Sequence, residues 1–164
     1  MRVSLPPIGC NGRGAQASSP TAPVSLTEPP LEEQFRLVAE TGVFDAFDRL
    51  PQPGELERYR ACIERHGLPV HTASWFYALG RDEGQLADRL AMAAAVGASL
   101  HNIMVYWHDA SGRPVSNEEV ASFYLRAWEL AEPLGLEPAL ELHVNMWSED
   151  PRRVMPVADF VRRR

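Results

Sequence analysis

The stretch EGQLADRLAMAAAVGASLHNIMVYW, residues 83–107, contains one complete structural unit and decides the fold class. Its first part is amphipathic and ends on Gly97, a residue suited to the left-handed conformation that closes many helices. Its second part, residues 98–107, is a short apolar run with the length of a buried strand. The stretch therefore predicts a helix, a glycine and a buried strand in succession.

The same unit recurs along the chain. Gly42, Gly67 and Gly135 also follow an amphipathic stretch and precede an apolar one, and the spacings between the four glycines are 25, 30 and 38 residues. Strands that alternate with helices at such spacings are typical of an α/β protein with a parallel sheet. With RVSLPPIG, residues 2–9, as a first strand, we expect five strands and five helices.

Local sequence also predicts where helices begin. Ser116 with Glu119 fits a capping box, in which two side chains and two backbone N–H groups are paired reciprocally. Asp82 with Gln85 resembles a second one. At residue 150, an aspartate followed by a proline fits an N-cap and first helical position.

Length and charge limit the class of protein. A chain of 164 residues can bury one core, so we expect a single domain over residues 1–164, with a flexible Gly/Pro/Ser-rich loop at residues 9–30. All 16 basic residues are arginine, which excludes a Schiff-base lysine and a P-loop. The net charge of −6 argues against a nucleic-acid partner. No apolar run reaches the roughly 20 residues of a membrane span, and a secretory pattern is lacking, so we expect a cytoplasmic protein without a membrane partner.

The segment ALELHVNMWSED, residues 139–150, carries the most informative polar residues. If it is a strand, Leu140, Leu142 and Val144 share one face, and Glu141 and His143 share the other. A carboxylate in an apolar run requires a partner, either an arginine or a metal ion. For His143 three alternatives remain: a ligand, a hydrogen-bonding neighbour of Glu141, or a core histidine bonded to a carbonyl group.

Other polar and aromatic residues fall near the ends of predicted strands, where parallel α/β sheets form their sites. His71 is either a packed core residue or a functional one, and His108 with Asp109 either contacts a substrate or caps the loop DASGRP. Tryptophans near three successive strand ends could stack a sugar or simply close the core. They are Trp75, Trp107 and Trp147.

The order of units, together with the segments EPALELHVNMWSEDPRRV, NIMVYWHDASG and GLPVHTASW, resembles the xylose isomerase-like TIM barrels, a superfamily of sugar and sugar-phosphate isomerases and epimerases. The resemblance covers roughly residues 31–164. It implies parallel (β/α) units of a TIM barrel, truncated after about five strands. It also implies a sugar or sugar-phosphate substrate and a divalent cofactor, which could be Mn, Mg, Co or Zn.

The resemblance assigns roles to particular residues. Glu141 matches the fifth-strand metal ligand, which in sugar-converting relatives also lies beside the carbon that loses a proton, so it is the candidate catalytic residue. Five further residues are candidate substrate contacts: His71, Trp107, His108, His143 and Glu149.

The remaining ligands of such barrels come from later strands, which leaves alternatives open. The chain could complete its site by self-association through the open sheet edge, or it could be a non-catalytic truncated fragment or assembly half. A different enzyme on an open, flavodoxin-like sheet of five strands is a further alternative.

Overall fold

The structure is a computed structural model that describes residues 9–10 and 29–163. In this part of the chain five strands alternate with five α-helices, which confirms the predicted α/β class. The strands are β1 (Gly9–Cys10), β2 (Ala46–Phe47), β3 (Thr72–Tyr77), β4 (Leu100–Val105) and β5 (Glu137–Leu140). The helices are α1 (Leu31–Thr41), α2 (Leu56–His66), α3 (Leu86–Ala95), α4 (Asn117–Ala131) and α5 (Pro151–Val161).

The N-terminal predictions are only partly covered by these residues. Of the predicted first strand only Gly9 is described, and it pairs with Ala46 in a parallel two-residue contact between β1 and β2. Of the predicted flexible loop, residues 11–28 lie outside the described residues, so its flexibility stays a prediction.

The described strands form a two-stranded pair, β1 with β2, and a three-stranded sheet of order β3-β4-β5. β4 pairs in parallel with β3 on one side and with β5 on the other. β2 adjoins β3, since the Phe47 N–H donates to the Pro69 carbonyl at 2.9 Å and Asp48 Oδ1 accepts from the N–H groups of His71 and Thr72 at 3.1 and 3.0 Å. A flavodoxin-like sheet has the order 2-1-3-4-5, so the sequential order excludes that alternative.

One face of the sheet packs against the helices and the other does not. Tyr77 of β3 contacts Phe123 of α4, with ring centroids 5.0 Å apart, and Ile103 of β4 belongs to the buried core. Because successive side chains of a strand alternate, Phe76 and Asn102 lie on the opposite face. We call this opposite face of β3, β4 and β5 the inner face.

The helix boundaries follow the local sequence closely. Gly42 and Gly67 take positive φ angles of 64° and 65° directly after α1 and α2, as expected for helix-closing glycines. Ser116 and Glu119 form the predicted capping box, and Asp150 accepts a hydrogen bond from the Arg152 N–H at the start of α5. Asp82 and Gln85 do not form a second capping box.

Asp82 does not cap a helix because its carboxylate binds groups in the turn that precedes it. Its carboxylate accepts from the Ala78 N–H at 2.8 Å and from the Arg81 side chain at 2.9 Å. This pairing with Arg81 is the main reason that the pKa of Asp82 lies below its usual value.

The prediction that residues 139–145 form one alternating strand is wrong beyond Leu140. The Glu141 N–H still donates to the Ile103 carbonyl at 3.2 Å, but the chain then turns. Asn145 adopts a left-handed φ of 62°, which asparagine tolerates better than most residues, and Met146 forms a bridge with Tyr106. As a result Leu142 and Val144, predicted to share one strand face with Leu140, are 64% and 61% exposed.

The capping box provides a direct test of helix α4. Replacing Ser116 by alanine removes the acceptor for the Glu119 N–H, and we expect the free energy of unfolding to fall by about 1 kcal/mol. Ser122→Ala is the matched control, because that hydroxyl is exposed and donates only to a carbonyl of its own helix. Urea denaturation monitored by circular dichroism measures both; equal effects of the two substitutions would contradict the cap.

Candidate functional site

The register of the strands brings three side chains to one level of the inner face. Phe76 pairs with Met104, and because Ile103 pairs with Leu140, the next residue of each strand places Glu141 beside Met104. Tyr106 follows two residues after Met104, so it lies on the same face. We call the carboxyl-terminal end of the inner face, from this level onward, the inner end.

Glu141 is half-buried and is held by its neighbours on the inner face. Its Oε2 accepts a hydrogen bond from Asn102 Nδ2 at 3.1 Å, and its backbone carbonyl accepts from the Ser148 hydroxyl. Within residues 9–10 and 29–163 its carboxylate makes no ion pair. The partner of this carboxylate is therefore an amide, and the arginine pairing considered for it does not occur among these residues.

His143 joins two aromatic rings at the inner end. Its ring lies edge-on to Phe76 with centroids 5.6 Å apart, and Phe76 stacks with Tyr106 at 6.0 Å. Phe76 and Tyr106 are each 38% exposed, so part of each ring remains open to a ligand. We call Phe76, Tyr106 and His143 the aromatic cluster.

Two of the predicted substrate contacts lie away from the inner end. His71 directly precedes β3, at the opposite end of that strand from Phe76, so the placement predicted for it at the carboxyl-terminal end is wrong. The five residue steps from His71 to Phe76 correspond to about 16 Å along a strand. Trp107 lies under the guanidinium group of Arg153 of α5, 4.4 Å from the ring centroid, and so packs toward the helices.

His108 and Glu149 lie in the loops that follow β4 and β5. His108 is exposed and forms a bridge with Pro114, while Glu149 accepts from the Asn145 N–H at 3.0 Å and so stabilises the turn after β5. Asp109 caps its loop by accepting from the hydroxyl and N–H of Ser111, which is the main reason that its pKa is lowered. Substrate binding by these residues stays a prediction.

Two of the tryptophans near the strand ends pack against other protein groups and are not available to a ligand. Trp75 is covered by Arg89 at 3.6 Å from its ring, and Trp147 is fully buried. The residues that supply aromatic surface at the inner end are instead Phe76 and Tyr106. Each is next in sequence to an aromatic residue that points to the other face of the sheet, Tyr77 and Trp107 respectively. Sequence reasoning missed Phe76 and Asn102; the one available indication was a lone amide in the apolar run NIMV.

The described part of the inner end has side chains of the kinds that bind divalent ions, but too few of them to hold one. A carboxylate oxygen of Glu141 and an imidazole nitrogen of His143 are both donors that such ions accept. Among the residues that the structure describes, no group of three or more His, Cys, Asp or Glu side chains is arranged to hold a metal ion. The described residues therefore do not form a metal site by themselves.

No protein-family model and no curated protein sequence matches this chain, whereas solved structures do. These structures are TIM barrels, and the chain has the fold of part of such a barrel. D-allulose 3-epimerase from Methylomonas sp., solved with D-allulose, superposes with a TM-score of 0.70 and 12% identity over 95% of this chain and 59% of that one.

Two further neighbours have the same architecture. The 3-keto-D-glucoside 4-epimerase from E. coli has a TM-score of 0.60 and 19% identity, over 83% of this chain and 62% of that one. A xylose isomerase-like TIM barrel protein from Mycobacterium smegmatis, solved with magnesium, has a TM-score of 0.59 and 16% identity, over 94% and 61%. The chain thus spans about 60% of the length of these proteins.

The hydrogen bond between Asn102 and Glu141 is testable by a double-mutant cycle. We expect Asn102→Ala and Glu141→Ala to be coupled by about 1 kcal/mol in the free energy of unfolding, because each removes one partner of the same bond. Glu137→Ala is the control: this residue begins β5, whereas Glu141 follows the end of that strand. Coupling of Asn102 to Glu137 as large as to Glu141 would contradict the contact.

Proposed function

We propose that this chain forms part of a divalent-metal-dependent sugar or sugar-phosphate isomerase or epimerase, with Glu141 as metal ligand and catalytic residue. The observation that carries the proposal is the position of Glu141 on the inner face after β5, where Asn102 orients its carboxylate and His143 of the aromatic cluster follows two residues later. The epimerase folds found among the solved structures support the same class of reaction.

The described residues suggest how a sugar would be held. Aromatic faces bind the apolar C–H surface of a sugar ring, and Phe76 and Tyr106 offer such faces beside a carboxylate. Glu141 could then take a proton from a carbon next to a carbonyl group, the step that isomerases and epimerases share. When bound, a divalent ion would stabilise negative charge on the substrate oxygens.

Ion binding by the purified chain tests the proposal. We expect Mn²⁺ or Zn²⁺ to bind, and Glu141→Gln to weaken binding by at least about tenfold, whereas Glu137→Gln leaves it within about twofold. Isothermal titration calorimetry measures the dissociation constants. Absence of binding to the unsubstituted chain, or equal effects of the two substitutions, would overturn the proposal.

The second candidate is a non-catalytic assembly half of such a barrel. It is favoured by the lack of a complete group of metal ligands among the described residues. Sugar turnover distinguishes the two: conversion of any aldose or ketose by the purified chain with Mn²⁺, absent in Glu141→Gln, would exclude the non-catalytic alternative.

We also propose that a second copy of the chain associates at the edge of β5. Among the described strands β5 pairs only with β4, and unpaired edges favour association. Leu142 and Val144 add exposed apolar surface next to this edge. Leu142→Glu should shift the chain from dimer to monomer in sedimentation velocity, while Met155→Glu, on the exposed side of α5, should not; a monomeric unsubstituted chain would overturn this.

The expectations on location and other partners remain proposals. In the part of the chain that the structure describes, no helix is both long and apolar enough to cross a bilayer. We propose a cytoplasmic protein that binds neither membranes nor nucleic acids, the latter because of its net charge of −6.

A further inference from the structure

A cavity of about 620 Å³ lies between helices α2 and α3, in the helical layer. It is lined by Pro53 and Leu56 at the start of α2 and by Ala91 and Met92 of α3. Its volume lies within the range of sites that hold small organic molecules, and such sites are mostly apolar, as these walls are. The cavity is therefore large enough for a ligand, and it is separate from the inner end.

Arg89 of α3 also lines this cavity, and its charge is buried. The residue is only 8% exposed, and within residues 9–10 and 29–163 it makes no ion pair. Its guanidinium group covers the Trp75 ring at 3.6 Å from the centroid. Nη2 donates to Gln85 Oε1 at 3.2 Å, and Nη1 has no hydrogen-bond partner among these residues. A buried charge without a counter-charge is costly, so Arg89 favours an anion beside it.

The carboxylates near Arg89 do not neutralise it. Asp82 pairs with Arg81 and is linked to Arg89 only through Gln85, whose Nε2 lies 3.4 Å from Asp82 Oδ1. Asp88, which lines the cavity, is exposed, so water and salt screen its charge. A carboxylate of another molecule can therefore supply the missing charge.

The edge of Arg89 that would meet a carboxylate has only a neutral partner. In Arg152 of the same chain, Nε and Nη2 donate to the two oxygens of Asp150 at 2.9 and 2.8 Å, the paired geometry that arginine forms with carboxylates. In Arg89, Nη2 is bonded to the Gln85 amide oxygen, and Nε makes no hydrogen bond to a described residue. Nε is not among the buried atoms that lack a partner, and Gln85 is exposed, so a carboxylate can displace the amide and bind this edge.

We propose that this cavity binds a small organic anion with one carboxylate and an apolar body, and that the carboxylate pairs with Arg89. One carboxylate balances the one buried guanidinium group, and the apolar body matches walls such as Leu56 and Met92. An anion with two charges, such as phosphate, is disfavoured because Asp88 lines the same cavity and the net charge of the chain is −6. The site does not involve Glu141, so it goes beyond the proposed function and does not depend on it.

Isothermal titration calorimetry with the purified chain tests the proposal, with benzoate and hexanoate as probes and their amides as uncharged analogues. We expect one or both carboxylates to bind with a dissociation constant below about 10 mM, and the matching amide to bind at least about tenfold more weakly. Arg89→Met, which keeps an unbranched side chain beside Trp75 but no charge, should weaken carboxylate binding by at least about tenfold. Arg58→Met is the matched control, since Arg58 is an exposed arginine of α2 that does not line the cavity, and should change binding by less than about twofold.

Gln85→Ala keeps the charge of Arg89 and tests the site even if Arg89→Met does not fold. It removes the neutral amide that holds Nη2, so we expect carboxylate binding to tighten by about threefold, a change that a merely structural role of Gln85 would not produce. No binding of either carboxylate, equal binding of a carboxylate and its amide, weaker binding in Gln85→Ala, or inorganic phosphate binding as tightly as benzoate overturns the proposal. Glu141→Gln should leave carboxylate binding within about twofold, so this result and that of the proposed function are distinguishable.

Discussion

Replacing Phe35 by alanine is expected to lower the free energy of unfolding by about 3–5 kcal/mol, a large share of the stability of an ordinary domain. Phe35 of α1 is fully buried, and its ring lies 4.1 Å from that of Phe47 in β2 and 5.1 Å from that of Tyr59 in α2. The substitution removes the side chain that joins these three elements and leaves a cavity between them.

Urea denaturation at neutral pH measures this loss. Val43→Ala is the control, since Val43 is apolar, lies shortly after α1 and is 64% exposed; we expect it to change the free energy of unfolding by less than about 0.5 kcal/mol. A loss below about 1 kcal/mol for Phe35→Ala would show that α1 is not part of the cooperative core.

Acidification from pH 6.5 to pH 4 is expected to destabilise the protein through His101 by about 3 kcal/mol. Burial, and secondarily the positive charge of Arg89, lower the pKa of His101 from 6.5 to about 4. As the pH falls below 6.5, the unfolded chain binds a proton at this residue and the folded chain does not, so the free energy of unfolding decreases. Below pH 4 both states are protonated and this contribution stops changing.

The destabilisation caused by His101 occurs at higher pH than the destabilisation caused by the acidic residues. The pKa values of Glu32, Glu119 and Asp150 are lowered to about 2, mainly by hydrogen bonds from Arg65, Arg113 and Arg152 respectively, so their stabilisation is lost only below about pH 4.5.

Urea denaturation at several pH values measures the effect of His101. His101→Gln should flatten the pH dependence of the unfolding free energy between pH 6.5 and 4. Tyr77→Phe should keep that dependence, because it removes the hydrogen-bonding partner of His101 without removing the titrating group. An unchanged pH dependence in His101→Gln would contradict the assignment.

Much of the fold could be predicted because its determinants are local. Gly42 and Gly67 end their helices, Ser116 caps α4, and the apolar runs at residues 68–79 and 98–107 contain β3 and β4. Each of these features depends on a few consecutive residues. The same locality explains the error at Leu142 and Val144, whose alternating pattern is that of a strand although the chain turns at Asn145.

The candidate site was predicted in part. Glu141 and His143 were recognised because polar residues in an apolar run are unusual, and the structure places both at the inner end. Phe76 was not recognised, since it does not stand out in its own strand, and neither was Asn102, whose one indication is its amide in an apolar run. Trp107 stands out strongly, yet it packs under Arg153.

The sequence by itself determined the alternation of helices and strands and the chemical character of Glu141, because periodicity, caps and burial of charge act within one segment. Only the tertiary structure decided which residues meet that carboxylate. The register of β4 against β5 brings Asn102 to the carboxylate, and the register of β3 against β4 brings Phe76 to the same level of the inner face. A shift of one residue would turn these side chains to the other face.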